Sequence, residues 1–305
     1  MLKKIWNEGI GEKAEFAEYH PIVNLIFFVF AIGVTMFSTN PYFLVATVVL
    51  SWTYSIMLHG KKIIKTNLLI ALPIVVMMSI INALFTHNGA TTLFYLGGNR
   101  ITLEAFLFGL ASAVMLSAVI VWFGCFNVIM SSDKFIYIFG KAAPVIGLTL
   151  SMIFRFIPLL KNRYKEISLG QRCMGRHTEK GFIAKARQLV KEVSILISWS
   201  LESSIETADS MEARGYGLPG RTSFHLFKFT GKDWAALGAI TAAGGLAAAG
   251  AFLGKTSVYY YPKIKLPEMD PLMAVCLAGF VVLMILPLII DILGERKWQQ
   301  LSLEE

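Results

Sequence analysis

The residues able to do chemistry in this chain are few, and their spacing supports no common reaction. His20, His59, His87, His177 and His225 are too dispersed to give a metal-ligand spacing. Cys125, Cys173 and Cys276 are equally scattered, so no disulfide framework or metal knuckle is implied. The sequence holds no H-E-x-x-H, no G-x-S-x-G and no P-loop, so it carries no phosphate cradle of its own for ATP. Its long apolar runs hold almost no ionisable side chains. Glu104 stands at the mouth of one run and Arg155 lies inside another. An ion-coupled carrier usually keeps carboxylates or histidines at such depth to bind protons or sodium. One segment stands apart: ETADSMEARGYGLPGR, residues 206–221, closes a charged amphipathic pattern on Ala213-Arg214-Gly215. An arginine at a helix C-terminus is favoured by the dipole and offers a rigid fork to carboxylates. A glycine after it lets the backbone turn away and leaves the arginine projecting. Arg214 is then either a solvated cap or an anchor for a partner groove.

The elements that must position this segment are mostly apolar. The chain has 305 residues, 55% of them hydrophobic and only 16% charged. A soluble domain carries about 25% charged residues, so the composition points to an all-α polytopic membrane protein. Runs at 22–37, 42–58, 67–85, 105–130, 234–253 and 271–293 are the six candidate spans. The first two are joined by Ser38-Thr39-Asn40-Pro41, which predicts a tight helical hairpin. The opening MLKKIWNEGIGEKAEFAEYH is polar and mixed in charge and does not read as a cleavable signal. Net charge is +8, and the cations cluster at the N-terminus, at 60–66, and above all at 161–191, which holds nine Lys or Arg. By the positive-inside rule those segments and both termini are cytoplasmic, and 86–103 is an outer loop. Segment 142–160 is apolar enough to span, but a single crossing would put 161–191 outside. It is therefore expected to lie at the cytoplasmic face or to be re-entrant. The organisation expected is a membrane part at 1–141, a coupling region at 142–231, and two further spans with a tail at 232–305.

Within the coupling region two helices are expected, at 161–174 and 184–213. In the second, Val193, Ile197, Leu201, Ile205 and Ala208 recur at helical spacing, Leu196 and Met211 widen the stripe, and together they form one apolar face. Glu202, Glu206, Asp209 and Glu212 form an acidic stripe beside it. That stripe is a solvated face, a partner surface, or a set of intramolecular partners for Arg163, Arg172 or Arg187. GGLAAAG at 244–250 predicts close helix packing inside a span.

Several blocks resemble the T component, the transmembrane coupling subunit, of energy-coupling factor transporters. EYHPIVNLIFFV at 18–29 is similar to the family's opening segment, with Asn24 where lysine is common. NALFTHNGATTLFYLGGNRITLEAFLFG at 82–109, SSDKFIYIFGKAAP at 131–144 and RFIPLL at 155–160 resemble later blocks. SMEARGYGLPGR at 210–221 is similar to the family's second Ala-Arg-Gly motif, intact at Ala213, Arg214 and Gly215. The first motif aligns with Gly170-Gln171-Arg172-Cys173-Met174-Gly175-Arg176. There Met174 takes the arginine's place, and Arg172 or Arg176 is left to supply the charge. The resemblance implies that Ala213, Arg214, Gly215, Arg172, Gly175 and Arg176 meet two ABC-type ATPase subunits, one motif to each. It also implies a membrane part that holds a substrate-binding S subunit for vitamin or metal-ion uptake. The chain itself would be non-catalytic and without a cofactor, with ATP and magnesium bound by the partners. The competing readings are a stand-alone secondary transporter or channel with a regulatory basic loop, and a membrane-embedded enzyme using an acid such as Glu104.

Overall fold

A computed structural model of the chain describes residues 14–96, 99–175, 181–218, 227–262 and 269–304. The chain divides into two units, Met1–Ser131 with Phe227–Glu305, and Ser132–Leu226. In the first unit a short α1 (Glu15–Glu18) precedes α2 (Pro21–Met36), α3 (Pro41–His59) and α4 (Lys62–Phe85). A hairpin of β1 (Thr92–Leu96) and β2 (Asn99–Thr102) leads into α5 (Leu103–Ile129), and the unit resumes with α9 (Gly231–Phe252) and α10 (Pro271–Glu304). The second unit holds α6 (Ser132–Ala142), α7 (Pro144–Cys173) and α8 (Phe182–Ala213). The fold is all-α, as expected. The antiparallel hairpin at 92–102 lies in the segment expected to be a loop.

Among the described residues, six helices are long and apolar enough to cross a membrane, the number expected, but the set differs by one. α2 has only 16 residues, about 24 Å of helix against a hydrocarbon core of about 30 Å. It is a core helix: Val23, Phe27, Phe28 and Ala31 are wholly or almost wholly buried. In its place α7 meets the length and composition of a span. The break expected near 160 does not occur. α7 runs 30 residues through Pro158, and the helix expected at 161–174 is its basic second half.

Local chemistry sets the helix boundaries. The ring of His20 accepts from the Ile22 N–H at 3.3 Å, with Pro21 as first residue of α2. Asn40 caps α3 in the same way, accepting from Tyr42 N–H at 3.1 Å ahead of the helix that starts at Pro41. The short link expected at 38–41 is present, but the helices it joins do not form a packed hairpin: α2 packs mainly on α9 and α5. α3 stops at Gly60, whose φ of +76° is the left-handed conformation a C-terminal glycine supplies.

The core of this unit is aromatic. Phe27, Phe28 and Tyr54 gather around Trp122 with ring centroids at 5.7, 6.3 and 5.9 Å. The two Phe contacts are edge-to-face, the arrangement favoured by ring quadrupoles. Trp122 donates its indole N–H to Thr47 Oγ1 at 3.3 Å, so its polar end is satisfied as well. The GGLAAAG stretch packs closely. A Cβ on Gly244 would lie 2.6 Å from the Phe30 ring, and one on Gly250 would lie 2.8 Å from Cys276. Two carboxylates fix residues 16–20 onto α9 and α10. Asp291 accepts from the Phe16 N–H at 2.7 Å and the Tyr54 hydroxyl at 3.1 Å. Asp233 accepts from the His20 N–H at 2.9 Å and closes the start of α9 on Thr230 at 2.8 Å.

Candidate functional site

The site is built on α7 and α8, and both helices stop in the same way. At the end of α8, Arg214 holds helical dihedrals, φ −84° and ψ 6°, and its N–H reaches Ser210 and Met211 carbonyls at 3.2 Å. Gly215 then turns left-handed at φ +82°. Its N–H donates to Glu212 O at 2.9 Å, while Tyr216 N–H donates back to Met211 O at 3.0 Å. This pair of bonds is a Schellman closure, and it satisfies carbonyls that the helix end would otherwise leave open. A Cβ on Gly215 would press on Leu218 at 3.1 Å in a backbone region that L side chains avoid. The glycine expected after Arg214 is thus required by the turn.

α7 repeats the geometry. Met174 has φ −78° and ψ 9°, its N–H donates to Gly170 O at 3.1 Å, and Gly175 follows at φ +74°. The Gly175 N–H donates to Arg172 O at 3.0 Å. Met174 therefore occupies in α7 the place Arg214 occupies in α8. Met174, Arg172 and Arg214 are all exposed. Arg176, the other candidate for the first motif, lies outside the described residues, as do Arg221, His177 and His225.

The two helices are antiparallel. The Arg163 guanidinium lies 5.0 Å from the centroid of the Trp199 ring, and the Tyr164 hydroxyl bonds Glu192. Met152 and Phe156 line a groove with Thr207 and Met211. As residue number rises along α7 it falls along α8. The Met174 and Arg214 ends therefore stand at opposite ends of the pair, about 40 Å apart at 1.5 Å per residue. The groove toward the Arg214 end measures about 750 Å³; Arg155, Glu206 and Arg214 are its charged residues.

Most of the apolar face expected on α8 is uncovered: Val193, Ile197, Leu201 and Ile205 are exposed, the last at 65%, while Met211 at its edge lines the groove with α7. The face turned to α7 carries Glu192, Trp199, Ser203, Thr207 and Met211. Among the described residues, no ion pair engages Glu202, Glu206, Asp209 or Glu212 of the acidic stripe. Arg163, offered as a partner for it, bonds Glu166 of its own helix at 2.7 Å instead.

The remaining singled-out residues do local structural work. Glu104 accepts from the Thr91 N–H and hydroxyl at 3.1 and 2.8 Å and pins the base of the β1–β2 hairpin. His59 and His87 bond backbone carbonyls of Ser55 and Phe85, each at 3.2 Å. Among the described residues no group of three or more His, Cys, Asp or Glu could hold a metal ion. Asp233 and Asp291 are buried carboxylates absent from the residues singled out by sequence. A signal existed for both: Thr230 and Asp233 have capping-box spacing, and Asp291 is the one charge in the 271–293 run.

No protein-family model matches the chain. The energy-coupling factor transporter transmembrane protein of Streptococcus thermophilus is 34% identical over 109 residues, 35% of this chain and 41% of that protein. The protein of the same name from Lactobacillus helveticus is 32% identical over 98 residues, 32% of this chain and 35% of its own length. That of Lacticaseibacillus paracasei is 32% identical over 103 residues, covering 33% and 39%. The aligned part therefore spans less than half the length of each curated relative. These matches bear out the resemblance carried by the motifs: this multi-pass, helical chain is a relative of the transmembrane, or T, components of energy-coupling factor transporters.

Proposed function

We propose that the chain is the coupling subunit of an ABC-type energy-coupling factor importer. Two ATPase subunits dock at the ends of α7 and α8, and the membrane helices carry an S subunit that binds a vitamin or metal ion. The chain transmits the ATP-driven motion of the first to the second and performs no catalysis. ATP and magnesium are bound by the ATPases.

The observation that carries the reading is the repeated helix end. Two exposed tips of like backbone geometry, at 172–175 and 213–215, stand at opposite ends of one antiparallel pair. Two separate tips suit two separate partners. The uncovered apolar stripe of α8 and its unpaired acidic stripe leave surface for them. Charge asymmetry keeps 131–141 and 161–191 on the cytoplasmic side, so α7 lies along that face despite its length. That arrangement holds both tips where a cytoplasmic ATPase reaches them.

The test is Arg214→Ala, assayed by co-purification and uptake together. Loss of a guanidinium that anchors a carboxylate lowers recovery of ATPase roughly tenfold or more, and uptake falls with it. Normal recovery and normal uptake in this variant would remove Arg214 from the role.

A further inference from the structure

Charge is segregated along the α7–α8 pair. At the Met174 end, Lys165 and Arg172 of α7 lie on the same end of the pair as Lys185, Arg187 and Lys191 of α8, all exposed. Among the described residues none of these five forms an ion pair. Of the described residues nearby, the carboxylates Glu166 and Glu192 are already engaged. Glu166 bonds Arg163 at 2.7 Å, and Glu192 is buried and accepts from Gln188 at 2.9 Å. At the Arg214 end the face of α8 is acidic. Glu202, Glu206, Asp209 and Glu212 are exposed and, among the described residues, form no ion pair, and Arg155 and Arg214 are the cations that line the groove there. One end is a positive field with an apolar methionine at its tip. The other is a negative field with a guanidinium at its tip. The ends are about 40 Å apart by helix rise, several Debye lengths at physiological salt, so each presents its own field to a partner.

We propose that the two ends are not interchangeable. The Met174 end takes an ATPase groove with an acidic lining. The Arg214 end takes a groove that offers one carboxylate to the guanidinium inside a basic rim. Like charges brought together across an interface select against the wrong partner as strongly as opposite charges select for the right one. The ATPase pair then seats in a single orientation. This inference rests on the reading that ATPases dock at these tips, and adds the chemistry each must present.

Benzoylphenylalanine is placed at Leu169 or at Leu218, exposed positions beside the two tips, in the full chain expressed with its partners. Photo-adducts are identified by mass spectrometry. The expected result is an ATPase adduct on an acidic surface from Leu169 and on a basic surface from Leu218. The triple reversal K185E/R187E/K191E lowers the Leu169 adduct about tenfold and leaves the Leu218 adduct within about twofold. Adducts on surfaces of the same charge overturn the proposal, as does a Leu169 adduct that survives the reversal. A lipid adduct at Leu169 assigns the cations to the membrane and overturns it too. If the reversal abolishes both adducts, the neutral K185Q/R187Q/K191Q is measured. Graded loss at Leu169 alone supports the proposal, and loss at both ends overturns it. If neither position of the otherwise unaltered chain yields an ATPase adduct, the docking reading itself has failed.

Discussion

At the scale of single residues, two buried polar groups make the sharpest predictions. Asp291 is 1% exposed and holds both the Phe16 N–H and the Tyr54 hydroxyl. Asp291→Ala strands both donors in an apolar interior, a cost of about 2–4 kcal/mol. Thermal unfolding of the purified protein in detergent reads it as a lower midpoint, and an unchanged midpoint refutes the clamp. Lys134 on α6 is buried, and burial pulls its ammonium down to about 8. The folded chain therefore sheds this proton before the unfolded chain does. Between about pH 8 and about pH 10 the unfolded state holds the extra proton, so this site adds stability as pH rises through the window. Lys134→Met removes that rise, which unfolding midpoints of the two proteins at both pH values will show. Of these residues, Asp291 was open to sequence reasoning as a lone charge in an apolar run. Lys134 was not, because nothing in SSDKFIYIFG marks a lysine that the tertiary fold covers. The helix end at Arg214 and Gly215 was the most legible of all, because it follows from backbone geometry local to six residues.

At the scale of elements, α6 and α7 meet at two glycines. A Cβ on Gly147 would run into the Gly140 Cα, so the contact depends on the absence of side chains. Gly147→Leu forces the two helices apart at a cost of about 1–3 kcal/mol. Faster hydrogen exchange across α6, with α10 unaffected, is the expected signature. Helix existence was legible along the long apolar and amphipathic runs, but not for α6, whose segment stood out only by its charge. Helix ends were legible where Gly, Asn or His stands, as at Gly60, Asn40 and His20. The continuity of α7 was not. Pro158 costs the helix one backbone bond and a local clash, and α7 continues through it. Nor does periodicity tell which face of α8 is covered. Its apolar stripe is left open, and a face rich in serine and threonine packs on α7 instead.

For the whole molecule, membrane disposition rests on charge rather than on length. Six helices qualify as spans by length and apolarity, and α7 is one of them. Its second half, 161–173, carries Lys161, Arg163, Lys165 and Arg172, which the positive-inside rule holds in the cytoplasm. A cysteine at Lys161, in a variant whose native cysteines are replaced, is expected to react with a membrane-impermeant maleimide only in inverted vesicles. Labelling from the outside of intact cells reverses the disposition of α7 and places the two tips on opposite sides of the bilayer. The contrast between long apolar runs and a charged helical pair was legible from composition. The partners were not, because docking surfaces are written in the shape of proteins that this chain does not encode.

The hydrogen bond from Phe16 to Asp291 joins residues 275 positions apart. Its consequence belongs to synthesis rather than to the finished fold. A ribosome delivers the donor early and the acceptor only after α9 and most of α10 have been made. Until then residues 14–20 lack both of their carboxylate partners, Asp233 and Asp291, and α2 lacks the α9 surface against which it packs. A short helix that depends on late neighbours cannot settle in the bilayer by itself. Insertion of this protein is therefore completed from its C-terminal side, and a nascent chain stopped before α9 leaves its first segment open to proteases and chaperones.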